Sequence, residues 1–179
     1  MSVRNQPKSF NSISMIFLKK LFEAKKQYKI YCDMDGVLVD FDKGFRTISK
    51  GVDPDSLPRP RFWAMFYALT KGKEREYWAG LPWMPDGKQL WNYIKGHGPE
   101  LLTAPPSDNA EAGKKDWASQ NLGSVTVNFK QARDKHHFVA PDAILIDDKE
   151  STIDKWNAEG GIGIYHSSAA NTIKQLKKL

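Results

Sequence analysis

The chain has 179 residues, of which 40% are hydrophobic and 27% are charged, and this fits one globular domain with a small inserted subdomain. Its single cysteine, Cys32, excludes an intramolecular disulfide and a zinc site built on several thiolates, which favours a reducing intracellular compartment. The longest apolar runs are shorter than the roughly 20 residues that a membrane-spanning helix needs, so we expect a soluble protein without a membrane span.

The net charge of +6 belongs entirely to the amino-terminal segment. Residues 1–29 contain seven Lys and Arg against one Glu, whereas the rest of the chain contains 20 residues of each sign. In residues 1–27, which we treat as a leader, the stretch SISMIFLKKLFEAKK places apolar side chains on one arc and lysines mostly opposite, which predicts an amphipathic helix. The apolar residues are Ile13, Phe17, Leu18, Leu21 and Phe22.

We interpret the leader as a helix that packs on the domain. Its acid-poor, Ser-containing composition leaves a presequence for mitochondrial import open as an alternative, and its lysines leave a membrane or nucleic-acid contact open as another. Because the body of the chain has no net basic bias, we expect no stable nucleic-acid partner. The single cysteine and the absence of a long apolar run lead us to expect a cytoplasmic protein, unless the leader directs mitochondrial import.

Strand-like and helical segments alternate through the domain at residues 28–179. Five short runs rich in Val, Ile and Leu are separated by helical stretches: YKIYC at 28–32, PELLTA at 99–104, GSVTVNF at 123–129, DAILID at 142–147 and GIGIYH at 161–166. This alternation predicts a Rossmann-like α/β fold, in which a parallel sheet is flanked by helices.

About 60 residues separate the first two predicted strands, which is far more than one crossover helix requires. The segment is rich in aromatic residues and prolines. We therefore predict a small helical cap inserted at about residues 43–84, followed by a helix from about Gly87 to Lys95. A cap over the strand ends would act as a lid that excludes water.

Polar residues occur where the predicted strands end, which is where open parallel sheets bind ligands. They are Asp33 and Asp35 after the first strand, Thr103 at the second, Lys135 after the third, and Asp147 and Asp148 at the fourth. Four carboxylates in one pocket need a cation, and oxygen ligands favour Mg²⁺. With the metal and the lysine in place, the pocket would attract a phosphate, and the threonine hydroxyl would hydrogen-bond it.

The order of these motifs resembles the haloacid dehalogenase-like phosphohydrolase superfamily. A DxDGV motif after a strand, a strand-terminal Thr, a Lys, and DD after a later strand follow one another within residues 28–166. Three details are similar to the 5'(3')-deoxyribonucleotidases: DMDGVLVDF, the RFW at 61–63, and RDK followed by ILIDD. The segment LPWMPDG also resembles that family, with one extra residue near Asp86.

The resemblance implies a role for each carboxylate. Asp33 would attack phosphorus to form an aspartyl phosphate, and Asp35 would serve first as general acid and then as general base. Mg²⁺ would be held by the Asp33 carboxylate, the Asp35 main-chain carbonyl and Asp148, with Asp147 in support. Gly36 would allow the tight turn behind the nucleophile.

The remaining candidates bind phosphate or base. Thr103 and Lys135 would neutralise charge on the phosphoryl oxygens. Phe41, Phe62 and Trp63 match the base-binding aromatic residues of the nucleotidases, where stacking is worth about 1 to 3 kcal/mol.

Other residues of these types are expected to be structural. Trp78, Trp83 and Trp91 are interpreted as core residues of the cap. Lys114 and Lys115 are interpreted as the solvated face of a helix.

The resulting expectation is a Mg²⁺-dependent phosphomonoesterase acting on a small-molecule phosphoester, a nucleoside monophosphate. One alternative keeps the chemistry but changes the substrate to another small phosphoester or to a nucleic-acid 3'-phosphate end. The other is a binding module without catalytic activity, in which the leader docks to an acidic partner.

Overall fold

The structure, a computed structural model, describes residues 28–179. The leader helix predicted at residues 1–27 lies outside the described residues. Within the described part, none of the helices combines the length and the hydropathy that a bilayer span requires.

A five-stranded parallel sheet forms the centre of the domain. Its strands are β1 (Lys29–Cys32), β2 (Glu100–Thr103), β3 (Val127–Phe129), β4 (Ala143–Asp147) and β5 (Ile162–Tyr165). They lie side by side in the order β3-β2-β1-β4-β5, and every neighbouring pair is parallel. The predicted Rossmann-like α/β fold is therefore confirmed. Because β1 lies between β2 and β4, the topological switch point falls at the carboxyl end of β1.

Helices occupy the connections between the strands. They are α1 (Phe41–Ile48), α2 (Arg59–Thr70), α3 (Glu74–Ala79), α4 (Gly87–Ile94), α5 (Asp108–Leu122), α6 (Glu150–Ala158) and α7 (Ala169–Leu176). Short 3-10 helices cover Pro54–Ser56, Lys95–His97 and Ala132–Phe138. The first three α-helices, here called the cap helices, occupy the segment for which a cap was predicted.

Alternation along the strands places apolar side chains on both faces of the sheet. In β4 all five residues are buried, as expected for a strand of a parallel sheet covered on both sides. Ile144 and Ile146 belong to the large core cluster, which continues into the cap, whereas Ala143 and Leu145 pack with Trp156 on the other face. Cys32 is fully buried, and burial raises the pKa of its thiol, so it acts as a small apolar side chain.

Helix α3 of the cap is packed directly against the core helix α5. A Cβ atom at Gly113 would lie 2.5 Å from the main-chain oxygen of Arg75 and 2.5 Å from the Cβ of Trp78, so only glycine allows this approach. Beside it, the Arg75 guanidinium donates two hydrogen bonds to Asp116, at 2.6 and 3.0 Å. The cap is thus fixed to the core along α3.

Substituting Gly113→Ala tests this packing. We expect a loss of about 1 to 3 kcal/mol in the free energy of unfolding, because the added methyl group meets backbone that cannot move freely. The measurement is urea denaturation, with Gly96→Ala as the matched control, since no heavy atom lies within 4 Å of a Cβ there. Equal stability of the two variants would contradict the close contact.

Candidate active site

The loop after β1 turns tightly around a glycine. The carbonyl of Met34 accepts hydrogen bonds from the main-chain N–H groups of Leu38 and Val39, each at 2.8 Å. Gly36 has a φ of +73°, a value that side chains disfavour, and a Cβ there would lie only 1.9 Å from Oδ2 of Asp148. The glycine therefore serves both the turn and the close approach of the Asp148 carboxylate.

Asp33, at the end of β1, shares a buried lysine with Asp147. The Lys135 ammonium lies 2.8 Å from Oδ2 of Asp33 and 2.7 Å from Oδ2 of Asp147. Burial alone would lower the pKa of Lys135, but the two carboxylates outweigh it and raise that pKa, so the group remains an ammonium. The other oxygen of Asp147 accepts a hydrogen bond from the Lys149 main-chain N–H at 2.9 Å.

Three carboxylates converge where a cation would fit. One oxygen from each of Asp33, Asp147 and Asp148 lies within 4.8 Å of the others. Burial, and then the neighbouring Asp33 and Asp147, raise the pKa of Asp148 to about 7. A divalent cation would relieve this repulsion, and an all-oxygen donor set is the type that Mg²⁺ uses. These residues therefore fit the predicted magnesium site.

A second buried lysine, Lys114, reaches the same edge of the sheet. Its ammonium lies 2.5 Å from Oδ2 of Asp35 and donates a hydrogen bond of 3.0 Å to the hydroxyl of Thr103, which is itself fully buried. Oδ1 of Asp35 is buried and has no hydrogen-bond partner among the described residues. The two catalytic candidates of the DxD motif are thus each paired with a lysine.

The interpretation of Lys114 as a solvated side chain is wrong. Only 1% of its surface is exposed, because it lies on the face of α5 that packs on the sheet and the cap, together with Ala110 and Trp117. Their spacing of four and then three residues is that of one helical face, and this was the sequence signal that was missed. Lys115 does lie on the exposed face, where it pairs with Glu111.

The cap and the strand ends enclose a cavity of about 860 Å³ that contains the site. Phe41, Phe62 and Trp63, the predicted base-contacting residues, all line it, beside Asp33 and Lys135. The three aromatic rings also touch one another, with centroids 5.9 Å apart for Phe41 and Phe62 and 4.9 Å apart for Phe62 and Trp63. They therefore form one aromatic wall rather than isolated contacts.

Trp78 differs from the other two tryptophans predicted to be structural. It is buried and stacks on Phe41 with centroids 5.1 Å apart, yet it also lines the cavity. Its indole nitrogen is buried without a hydrogen-bond partner in residues 28–179. Trp83 and Trp91 pack against the large core cluster. Trp91 lies on α4, outside the predicted cap, so it belongs to the core of the domain and not to that of the cap.

Charged residues that the sequence analysis did not single out line the cap side of the cavity. They include Asp42, Arg46, Asp55 and Arg59, and Lys149, in the loop after β4, also lines the cavity. Burial, followed by the nearby Asp55, raises the pKa of Asp42. The Arg59 guanidinium lies over the ring of Trp63, 5.9 Å from its centre. The cavity thus combines an aromatic wall with polar groups that can bind a sugar or a base edge.

Comparisons with known proteins identify the fold. No family model matches the sequence, and no curated protein matches it. The structure is similar to a hydrolase from Streptococcus pneumoniae TIGR4, with a TM-score of 0.55 and 13% identity over 86% of this chain and 100% of that one. It is also similar to a haloacid dehalogenase-like hydrolase from Streptococcus pneumoniae, with a TM-score of 0.52 and 14% identity over 83% and 90% of the two chains.

A third similar structure, from Thermotoga maritima, is described as a beta-phosphoglucomutase. Its TM-score is 0.53, with 16% identity over 85% of this chain and 99% of that one. At these identities the likeness shows the fold, which is that of haloacid dehalogenase-like hydrolases, as the motif order predicts.

Magnesium should stabilise the chain more strongly at pH 8 than at pH 6. At pH 8 the Asp148 carboxyl, whose pKa is about 7, is already ionised, whereas at pH 6 binding must first displace its proton. Each pH unit below 7 therefore weakens metal affinity by up to about tenfold, and the Mg²⁺-induced rise in Tm shrinks accordingly.

The measurement is differential scanning calorimetry at matched ionic strength, with NaCl replacing MgCl₂ in the control. Asp148→Asn should bind Mg²⁺ more weakly and lose this pH dependence. An equal Mg²⁺ effect at both pH values in the unmodified chain would show that Asp148 is not a ligand.

Proposed function

We propose that this chain, which has the fold of haloacid dehalogenase-like hydrolases, is a Mg²⁺-dependent phosphomonoesterase that acts on deoxyribonucleoside monophosphates, a 5'(3')-deoxyribonucleotidase. The observation that carries the proposal is the arrangement around Asp33. Its carboxylate, 13% exposed, borders the cavity while Lys135 holds one oxygen and Asp148 lies alongside.

Asp33 is suited to be the nucleophile. One oxygen accepts a hydrogen bond of 2.7 Å from the Met34 main-chain N–H, and the other lies 2.8 Å from the Lys135 ammonium. These contacts fix the carboxylate at the cavity wall, so that an oxygen can attack phosphorus in line with the ester bond. The new bond gives an aspartyl phosphate as the ester oxygen departs, and water then hydrolyses that intermediate.

Asp35 is placed to transfer the proton in both steps. Its position two residues after the nucleophile brings both carboxyl groups to the same cavity. Its carboxyl group gives a proton to the departing ester oxygen and later takes one from the hydrolytic water.

Thr103 and Lys135 would bind the phosphoryl group of the substrate. The Thr103 hydroxyl accepts from Lys114, which leaves its own hydrogen available to donate to a phosphoryl oxygen. Lys135 supplies positive charge beside the nucleophile, and losing such a contact typically costs a few kcal/mol of transition-state stabilisation.

Asp33, Asp148 and the Asp35 main-chain carbonyl would hold Mg²⁺, with Asp147 supporting them. Both oxygens of Asp147 already have partners, in Lys135 and the Lys149 N–H, which favours Asp148 as the direct ligand. When bound, the ion would neutralise charge on the phosphoryl group.

A nucleoside monophosphate suits the cavity beside these groups. Its volume of about 860 Å³ lies within the range of small-molecule sites, roughly 300 to 1,000 Å³. Aromatic side chains along one wall can stack on a base. Phe41, Phe62 and Trp63 also match the base-binding residues of the deoxyribonucleotidases, and this resemblance favours a deoxynucleotide as the substrate.

A sugar phosphate is the second candidate substrate. The charged groups on the cap side of the cavity, Asp42, Arg46 and Arg59 among them, offer hydrogen bonds that sugar hydroxyls can use. This alternative keeps every step of the chemistry and changes only what the cap recognises.

The first test is phosphate release from a panel of 5'- and 3'-deoxynucleotides, ribonucleotides and sugar phosphates with Mg²⁺. We expect the deoxynucleotides to be preferred, and Asp33→Asn to lower kcat by at least about 10³-fold, because the nucleophile is lost. A chelator should abolish the activity of the unmodified chain. Preference for sugar phosphates would keep the mechanism and replace the substrate, whereas no release from any ester would reject the proposal.

The aromatic wall can be tested separately. Trp63→Ala should raise KM for deoxynucleotides by about 5- to 150-fold, the equivalent of 1 to 3 kcal/mol of base stacking. Activity on p-nitrophenyl phosphate, which carries no base, should change much less. Leu69→Ala is the matched control, because Leu69 is an exposed apolar residue of the same helix, α2, outside the cavity lining. Equal losses on both substrates would assign Trp63 to the cap core.

A further inference from the structure

Lys114 is a buried cation whose contact with Asp35 has no role in the chemistry proposed above. A lysine is almost never fully buried unless it is paired, because desolvation of the ammonium is unfavourable. Here 1% of the side chain is exposed, and the ammonium contacts Asp35 at 2.5 Å and Thr103 at 3.0 Å. Both partners belong to the candidate active site, so this pairing is not a general feature of the core.

Each of the two buried lysines pairs with a different aspartate of the DxD motif. Lys135 contacts the nucleophile candidate Asp33 and its neighbour Asp147, whereas Lys114 contacts the acid–base candidate Asp35. Within residues 28–179, the other oxygen of Asp35 has no hydrogen-bond partner. The orientation of the Asp35 carboxyl group therefore depends on Lys114.

The surroundings of Lys114 hold its ammonium in place. The ring of Trp78 lies over it, with 5.0 Å between the nitrogen and the ring centre, a distance typical of cation–π contacts. The preceding residue, Gly113, is the point where α5 packs directly on α3. Lys114 is thus fixed by the core helix below it and the cap helix above it.

We propose that Lys114 is a positioning residue for ester cleavage, which holds Asp35 in the orientation that delivers a proton to the leaving oxygen. This inference depends on the proposed function. In the step concerned, the phosphorus–oxygen ester bond breaks, its electron pair goes to the leaving oxygen, and that oxygen takes the proton from the Asp35 carboxyl group. Lys114 keeps its own protons and acts through Asp35. Its hydrogen bond to Thr103 also directs the hydrogen of that hydroxyl away from the ammonium.

The leaving group of the substrate distinguishes this role from a structural one. A deoxynucleotide releases an alkoxide that needs a proton, whereas p-nitrophenyl phosphate releases a stable phenolate that does not. In Lys114→Met, we expect kcat on the deoxynucleotide to fall by about 10²-fold or more, the usual range for general acid catalysis, and kcat on p-nitrophenyl phosphate to fall less than about tenfold. Lys114→Arg, which keeps the cation, should recover part of the loss.

Lys115→Met is the matched control, because it removes the adjacent lysine, whose side chain is 57% exposed. It should leave both rates unchanged. Equal losses on the two substrates in Lys114→Met would assign Lys114 a structural role and overturn the inference while the proposed function stands. Failure of the unmodified chain to hydrolyse either ester would instead overturn the proposed function, and this inference with it.

A double variant and a spectroscopic measurement test separately whether Lys114 acts through Asp35 or binds the phosphate itself. If Lys114 acts through Asp35, adding Lys114→Met to Asp35→Asn should reduce kcat no further than Asp35→Asn alone. A further large reduction would overturn the inference. Beryllofluoride with Mg²⁺ forms an aspartyl-phosphate mimic that needs no proton transfer, so ¹⁹F NMR should detect it in Lys114→Met. Loss of that signal in Lys114→Met and Lys114→Arg, but not in Lys115→Met, would make Lys114 a phosphate ligand instead.

Discussion

Repulsion between carboxylates at one edge of the sheet is the constraint on which the rest of the site depends. The parallel arrangement places the ends of β1 and β4 side by side, and with them two pairs of aspartates. Buried or half-buried carboxylates are unfavourable without compensation. The fold supplies two buried lysines from different connections, Lys114 from α5 and Lys135 from the 3-10 helix before β4.

The charges that remain after this pairing favour a bound metal ion. When all four carboxyl groups are ionised, they exceed the two ammonium groups by two negative charges, which a divalent cation would balance. Burial is the main cause that raises the pKa of Asp148 to about 7, and the negative charges of Asp33 and Asp147 add to it. A phosphate dianion could approach the nucleophile only after such compensation.

The sheet and the strand-end residues could be predicted because their signals are local. Runs of Val, Ile and Leu identify strands, and the parallel topology brings residues that end separate strands to one edge. Lys114 was missed because its residue type favours solvent, and only its spacing from Ala110 and Trp117 placed it on the inward face. The contact of Asp148 with Gly36 has no local signal, since it joins residues more than a hundred positions apart. The polar residues that line the cap side of the cavity could not be predicted from the sequence either, because their position depends on how α1, α2 and the strand ends pack together.

Helices α2 and α3 both contribute to the cavity wall, but only α3 is attached to the core helix α5 by close contacts. The two helices therefore differ in how far substitutions on them affect the site. Trp78, on α3, covers the ammonium that pairs with Asp35, so a substitution that moves α3 also disturbs Asp35, the proposed acid–base residue. Helix α2 contributes Phe62 and Trp63 to the wall but carries neither of the close contacts that tie α3 to the core at Gly113 and Asp116. Substitutions on α2 that keep the contacts of its Phe66 with Tyr77 and Trp78 of α3 can therefore alter which ligand fits with little effect on the groups around Asp33 and Asp35.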